Sequence, residues 1–160
     1  MGKLFDVIKL KQDFNSDSKS KSKEAEYKLI ELCEPIINEM GEYMKKVEIS
    51  PCEFFGEGAE EYAYGCGRIY NVVKCEDDLI TFFYSRGTIG EHCDAYIELD
   101  MKWIENFDEF KAECNNARMH KITNIIDGLK NQIESIKIRI KRLDEEYSQL
   151  FLENRKASRK

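Results

Sequence analysis

Apolar residues change their spacing along this chain, and each change marks a different element. Between Glu24 and Val47 they fall at Leu29, Cys33, Ile36, Met40, Tyr43 and Val47, in steps of four and three. Ile30, Ile37 and Met44 widen that stripe. A face this broad predicts a helix buried against a sheet. Pro35 lacks an amide donor and crowds the carbonyl of Glu31, so a kink or a fresh helix start is expected there.

From Val47 to Lys102 the pattern becomes that of strands. Val47 to Phe55 reads as a short strand ending at "GEG". Tyr62 to Cys75 is rich in aromatic and β-branched residues but carries Gly65 and Gly67, which predict a bulge or bend. "EDD" at 76–78 reads as a hairpin turn, Leu79 to Arg86 as the return strand, and "GTIGEH" at 87–92 as a longer loop. Cys93, Ala95, Ile97, Leu99 and Met101 then alternate with Asp94, Tyr96, Glu98, Asp100 and Lys102. That strand has one buried and one acidic face. An antiparallel meander of three or four strands under the 24–47 helix follows.

Two segments precede the helix. Leu4, Phe5, Val7, Ile8, Leu10 and Phe14 suit a short strand or one amphipathic turn equally. "NSDSKSKSK" at 15–23 has no apolar residue and reads as a flexible tether.

After Asn106, whose spacing to Glu109 suits a helix capping box, the helical period returns. Phe107, Phe110, Cys114 and Ala117 form its buried start. Beyond Met119 the spacing becomes a strict heptad. Met119, Ile126, Ile133, Ile140 and Tyr147 take a positions, and Ile122, Leu129, Ile136, Leu143 and Leu150 take d. An unbroken heptad of this length is a coiled-coil seam. Ile at a with mostly Leu at d favours two parallel strands, while Ile122 and Ile136 at d pull towards higher order. Arg139 at g would then meet Asp144 at e of a parallel partner. Folding back on the 24–47 helix is the alternative, but that helix spans about 36 Å and the seam about 54 Å at the α-helical rise. Self-association, as a dimer first, is the expected use.

The fold class is therefore α+β: helix, antiparallel meander, long C-terminal helix. The expected organisation is a short N-terminal element (1–14), a linker (15–23), a core domain (24–118) and a coiled-coil helix (119–160).

Charge divides along the same lines. The net of −6 conceals a −10 segment at 48–118, with 6 basic and 16 acidic side chains, and a +4 segment at 119–160. The acidic middle repels phosphate, which makes nucleic acid a poor partner for the core and a basic protein surface a good one. Glu91, Asp94, Tyr96, Glu98 and Asp100 form the expected docking face. Arg68, Tyr70, Tyr84 and Arg86 form an alternative cradle for an anionic nucleotide. Lys137, Arg139, Lys141 and Arg142 supply a third reading, as a nucleic-acid accessory.

Chemistry is harder to place. The six cysteines (Cys33, Cys52, Cys66, Cys75, Cys93 and Cys114) lack zinc-type spacing, and most read as small core residues. His92 beside Cys93 is not set up as a nucleophile pair, since Cys93 should face inward. The donors Glu91, His92 and Asp94 do not converge from one strand entry. No cofactor, metal or catalytic residue is assigned. No apolar run is long enough to span a bilayer, and "MGKLFDVIKLKQDF" lacks a signal-peptide core, so a cytoplasmic location is expected.

Tyr96-Ile97-Glu98-Leu99, Trp103-Ile104-Glu105 and the charged helix from Phe107 to Asn154 resemble a pattern in small phage and prophage accessory proteins of low-GC bacteria. The resemblance covers residues 60–154. It implies a helix–meander–long-helix fold and an accessory role, several such groups acting by binding host defence machinery or sequestering its signalling nucleotides.

Overall fold

The computed structural model describes residues 2–56, 68–88 and 91–157, with side chains described for 4–56, 68–84 and 96–156. Its elements are α1 (Gly2–Phe14), α2 (Lys19–Lys46), α3 (Pro51–Phe55), β1 (Arg68–Cys75), β2 (Leu79–Thr88), β3 (Glu91–Asp100), α4 (Met101–Glu105) and α5 (Phe107–Ala157). The class is α+β, with a three-stranded antiparallel sheet in the order β1-β2-β3. The chain divides into two compact units, Met1–Arg118 and Met119–Lys160.

The first unit holds the core. Leu29, Cys33, Ile37, Met40 and Met44 of α2 are buried in one cluster with Ile80, Phe82 and Tyr84 of β2 and with Ile97 and Leu99 of β3. The helix runs through Pro35 without a break. Pro35 is exposed, so the Glu31 carbonyl that loses its amide partner faces a surface position where water can serve it. Neither a new start nor a second helix is needed.

Four local expectations are corrected. The N-terminal segment is a full helix, because Leu4, Val7, Lys11 and Phe14 share one face and Val7 and Lys11 are buried. The polar run at 15–23 is mostly helix, since α2 begins at Lys19 directly after Ser18. Only Asn15–Ser18 stands between the first two helices. Residues 51–55 are helix rather than strand. Ser50 accepts the Glu53 amide and the Glu53 carboxylate accepts the Ser50 amide, with Pro51 at the first helical position. Residues 87–88 and 91–92 belong to the sheet, where Gly87 pairs with His92 and Thr88 with Glu91.

Helix α2 ends in a left-handed residue, Glu48, at φ 56°. The Ile49 amide donates back to the Met44 carbonyl at 3.0 Å, the long closing bond of a Schellman end. Strand β3 ends differently from expectation. Met101 and Trp103 leave the sheet as the short helix α4, and the Asp100 side chain accepts the Lys102 amide as its cap.

At the start of α5, Phe110 is fully buried. Its ring meets those of Phe54 and Trp103 edge-on at 5.3 Å and lies 5.4 Å from Phe107. This aromatic cluster ties α3, α4 and α5 together.

Candidate interaction surfaces

Two irregularities in β1 build the outer face of the sheet. Pairing runs Ile69–Tyr84, then Asn71–Phe83, then Val72–Phe82, then Lys74–Thr81, so Tyr70 and Val73 are each one residue too many. Each bulge admits an extra side chain on the outside while keeping Ile69, Val72 and Cys75 inward. Tyr70 is consequently 61% exposed and Val73 46%. On the far strand Tyr96 is 60% exposed, and its ring lies 5.7 Å from that of its cross-strand neighbour Phe83. Tyr70, Val73, Phe83 and Tyr96 thus give this face a broad apolar character. The bulge-forming glycines expected at 65 and 67, and the strand start at 62, lie outside the described residues.

The charges around it are mixed. Glu98 is exposed on β3, while Arg68 and Lys74 are exposed on β1. Asp100 drops out of the expected acidic face, because capping α4 and an ion pair with Lys102 Nζ at 3.6 Å engage it. The side chains of Glu91 and Asp94 lie outside the described residues.

The alternative cradle is not assembled. Tyr84 is fully buried on the inner face opposite Ile69, whereas Arg68 and Tyr70 point outward. A strand cannot present Tyr84 and Tyr70 to one ligand from opposite faces. The Arg86 side chain lies outside the described residues.

One sheet edge is closed. The Glu26 carboxylate of α2 accepts the Val72 amide of β1 at 3.1 Å. Asn15 donates to the Cys75 carbonyl at 3.1 Å, and Lys11, 8% exposed, donates to the Asp77 carbonyl at 2.6 Å. These side chains occupy backbone groups that an edge strand would otherwise offer to another chain. None was foreseen from sequence.

The second unit carries the other surface. All ten seam residues from Met119 to Leu150 are exposed, between 41% at Ile122 and 70% at Tyr147. Ile125, Ile138, Phe151 and Leu152 are exposed beside them, and Tyr147 stacks on Phe151 with centroids 6.5 Å apart. Within this helix Lys130 reaches Asp127 at 2.9 Å and Lys137 reaches Glu134 at 3.6 Å. His120 is exposed.

The buried thiols Cys33, Cys75 and Cys114 are poor nucleophiles. Burial pushes Cys33 and Cys114 up to about 12 and Cys75 up to about 11, leaving all three protonated at neutral pH. Cys52 is exposed. Among the described residues no cluster of three His, Cys, Asp or Glu side chains could hold a metal ion, and no helix is long and apolar enough to cross a membrane. No family model, curated protein or solved structure matches this chain.

Proposed function

We propose that this chain is a self-associating, non-enzymatic interaction protein that presents the outer face of its sheet to a protein partner. The observation that carries the reading is the exposed seam. Ten apolar side chains on one heptad stripe are left in water by the single chain. Such a stripe is far more apolar than a solvated helix surface needs to be. A second copy supplies the missing burial at about 25 cal/mol per Å² covered.

The sheet face is the surface left for a different partner. Tyr70, Phe83 and Tyr96 supply rigid aromatic area, and Glu98 within the −10 segment favours a basic counterpart. The resemblance to phage and prophage accessory proteins extends the reading to a host defence factor as that partner, bound and inhibited in the cytoplasm.

Sedimentation equilibrium tests the core of this reading. Ile133→Asp with Ile140→Asp should convert an oligomer into a folded monomer. A wild type that is monomeric at high micromolar concentration refutes it.

A further inference from the structure

The seam of α5 fixes where a second copy docks, and the residues beside it fix in which direction. The e positions are Thr123, Lys130, Lys137, Asp144 and Phe151, and the g positions are Ile125, Gln132, Arg139, Glu146 and Glu153. In a parallel pair each g residue meets the e residue of the partner's next heptad. That yields Ile125 against Lys130, Gln132 against Lys137, Arg139 against Asp144, and Glu146 against Phe151. Only Arg139–Asp144 is a charge match, made twice by symmetry.

In an antiparallel pair a layers face d layers, e meets e, and g meets g. Four registers cover most of the seam, and with Ile133 facing Leu129 the Lys130 side chains meet each other. With Ile133 facing Ile136 of the second copy, Lys130 meets Lys137. With Ile133 facing Leu143, Lys130 meets Asp144, but Lys137 and Arg139 each meet their own counterparts. With Ile133 facing Leu150, Lys137 meets Asp144, Arg139 meets Glu146, and Gln132 meets Glu153. In that last register Lys130 lies against Phe151, whose ring already stacks on Tyr147 and offers a face to the lysine stem or ammonium. Two distinct charge matches, each made twice, replace one, and no like charges oppose. The loose 3.6 Å contact of Lys137 with Glu134 leaves its ammonium available to the second chain.

We infer that the second copy docks antiparallel on this seam, with Ile133 of each chain facing Leu150 of the other. The inference rests on the self-association proposed above. Its central layers are Ile136 against Tyr147 and Ile140 against Leu143, so Tyr147 packs on an aliphatic side chain instead of on its own copy. The covered stretch runs from Leu129 to Asn154 and holds seven of the ten seam residues, with Met119, Ile122 and Ile126 of each chain outside it.

Cross-linking separates the orientations. Ile136→Cys and Tyr147→Cys variants are mixed in glutathione buffer, and disulfides are assigned by peptide mapping because native cysteines remain. The mixed 136–147 bond should exceed the 136–136 bond several-fold, and a dominant 136–136 bond overturns the inference. Charge exchange gives a second readout. Arg139→Glu should weaken dimerisation roughly tenfold, from two attractive pairs made repulsive. Adding Glu146→Arg should restore it if the chains are antiparallel, whereas in a parallel pair the introduced carboxylate still faces Asp144 and affinity stays low. A wild-type monomer in sedimentation equilibrium sinks both the self-association and its orientation. A dimer with 136–136 bonds, or a copy number above two, sinks the antiparallel pair alone.

Discussion

Removing the Glu26 carboxylate should loosen the β1 edge, which side chains of the N-terminal helices close. Its bond to the Val72 amide joins α2 to β1 across 46 residues of sequence. A hydrogen bond to a charged acceptor contributes about 1.5–3 kcal/mol when well shielded. Glu26 is only half-buried, which places it at the lower end, about 1.5 kcal/mol. Alanine offsets a few tenths of that through its better helix propensity. The expected net loss for Glu26→Ala is therefore about 1 kcal/mol, or roughly 5 °C in Tm for a domain near this size. Trp103 is the sole tryptophan and is 6% exposed, so its fluorescence reports urea unfolding of the first unit. Glu26→Gln keeps an acceptor oxygen and should retain at least half of the stability that alanine loses. The freed edge should also make the alanine variant more prone to aggregate on partial unfolding. A Glu26→Ala midpoint equal to wild type would show that the Val72 amide does not depend on this carboxylate.

Phe110→Ala should cost about 3–5 kcal/mol by opening a cavity between α3, α4 and α5, and a urea midpoint shift worth under ~1 kcal/mol would refute the clustered packing. Glu48→Gly should raise stability by about 0.5 kcal/mol, since relief of the left-handed backbone exceeds the loss of an exposed ion pair with Arg118; a drop in the midpoint refutes it. Above a pH of about 9 the unfolded chain releases thiol protons that the folded chain retains at Cys33, Cys75 and Cys114. Stability from these groups is full below that pH and falls as pH rises towards 11–12. Urea midpoints at pH 8 and 10.5 should show the fall, and Cys33→Ala should make it shallower; an equal fall in the variant refutes the assignment.

The long-range plan of the fold was legible because its signals are periodic. The α2 stripe, the alternation through Tyr96–Leu99 and the heptads of α5 each repeat often enough to outweigh any single residue. What was missed depends on single contacts. At α1 the third inward position is Lys11, whose stem is buried while its ammonium reaches the Asp77 carbonyl, so the stripe looked broken. Phe5 and Ile8, both exposed, blurred it further. At 51–55 the Ser50–Glu53 spacing and Pro51 were a readable helix start that apolar content overrode. Tyr84 was misplaced on the surface because β2 is apolar on both parities, with Leu79 and Phe83 on one side and Ile80 and Phe82 on the other, so alternation alone does not show that Tyr84 shares the inward side. The distinction between Asp100 and Glu98 also needed coordinates. Both alternate outward, but only the former sits where a helix begins.

The direction of helix pairing bears on what a partner would meet. Antiparallel docking with Ile133 facing Leu150 places the two Met119 residues roughly 70 Å apart along the helix axis, at 1.5 Å per residue. A parallel pair would hold them within roughly 10 Å. Met119 directly follows Arg118, the last residue of the sheet-bearing unit. Parallel docking would thus bring the two chain exits together and favour one composite binding surface. Antiparallel docking sets the exits at opposite ends and favours two independent, identical ones. A monomeric partner then binds each end with the same affinity and gains nothing from the second. A repetitive or oligomeric partner, whose sites match the spacing, gains avidity without any new contact. Titrating the dimer with a monovalent and a tandem form of one partner distinguishes these cases. Two equal, independent sites with sharply tighter tandem binding is the antiparallel expectation, and a single shared site per dimer is incompatible with it.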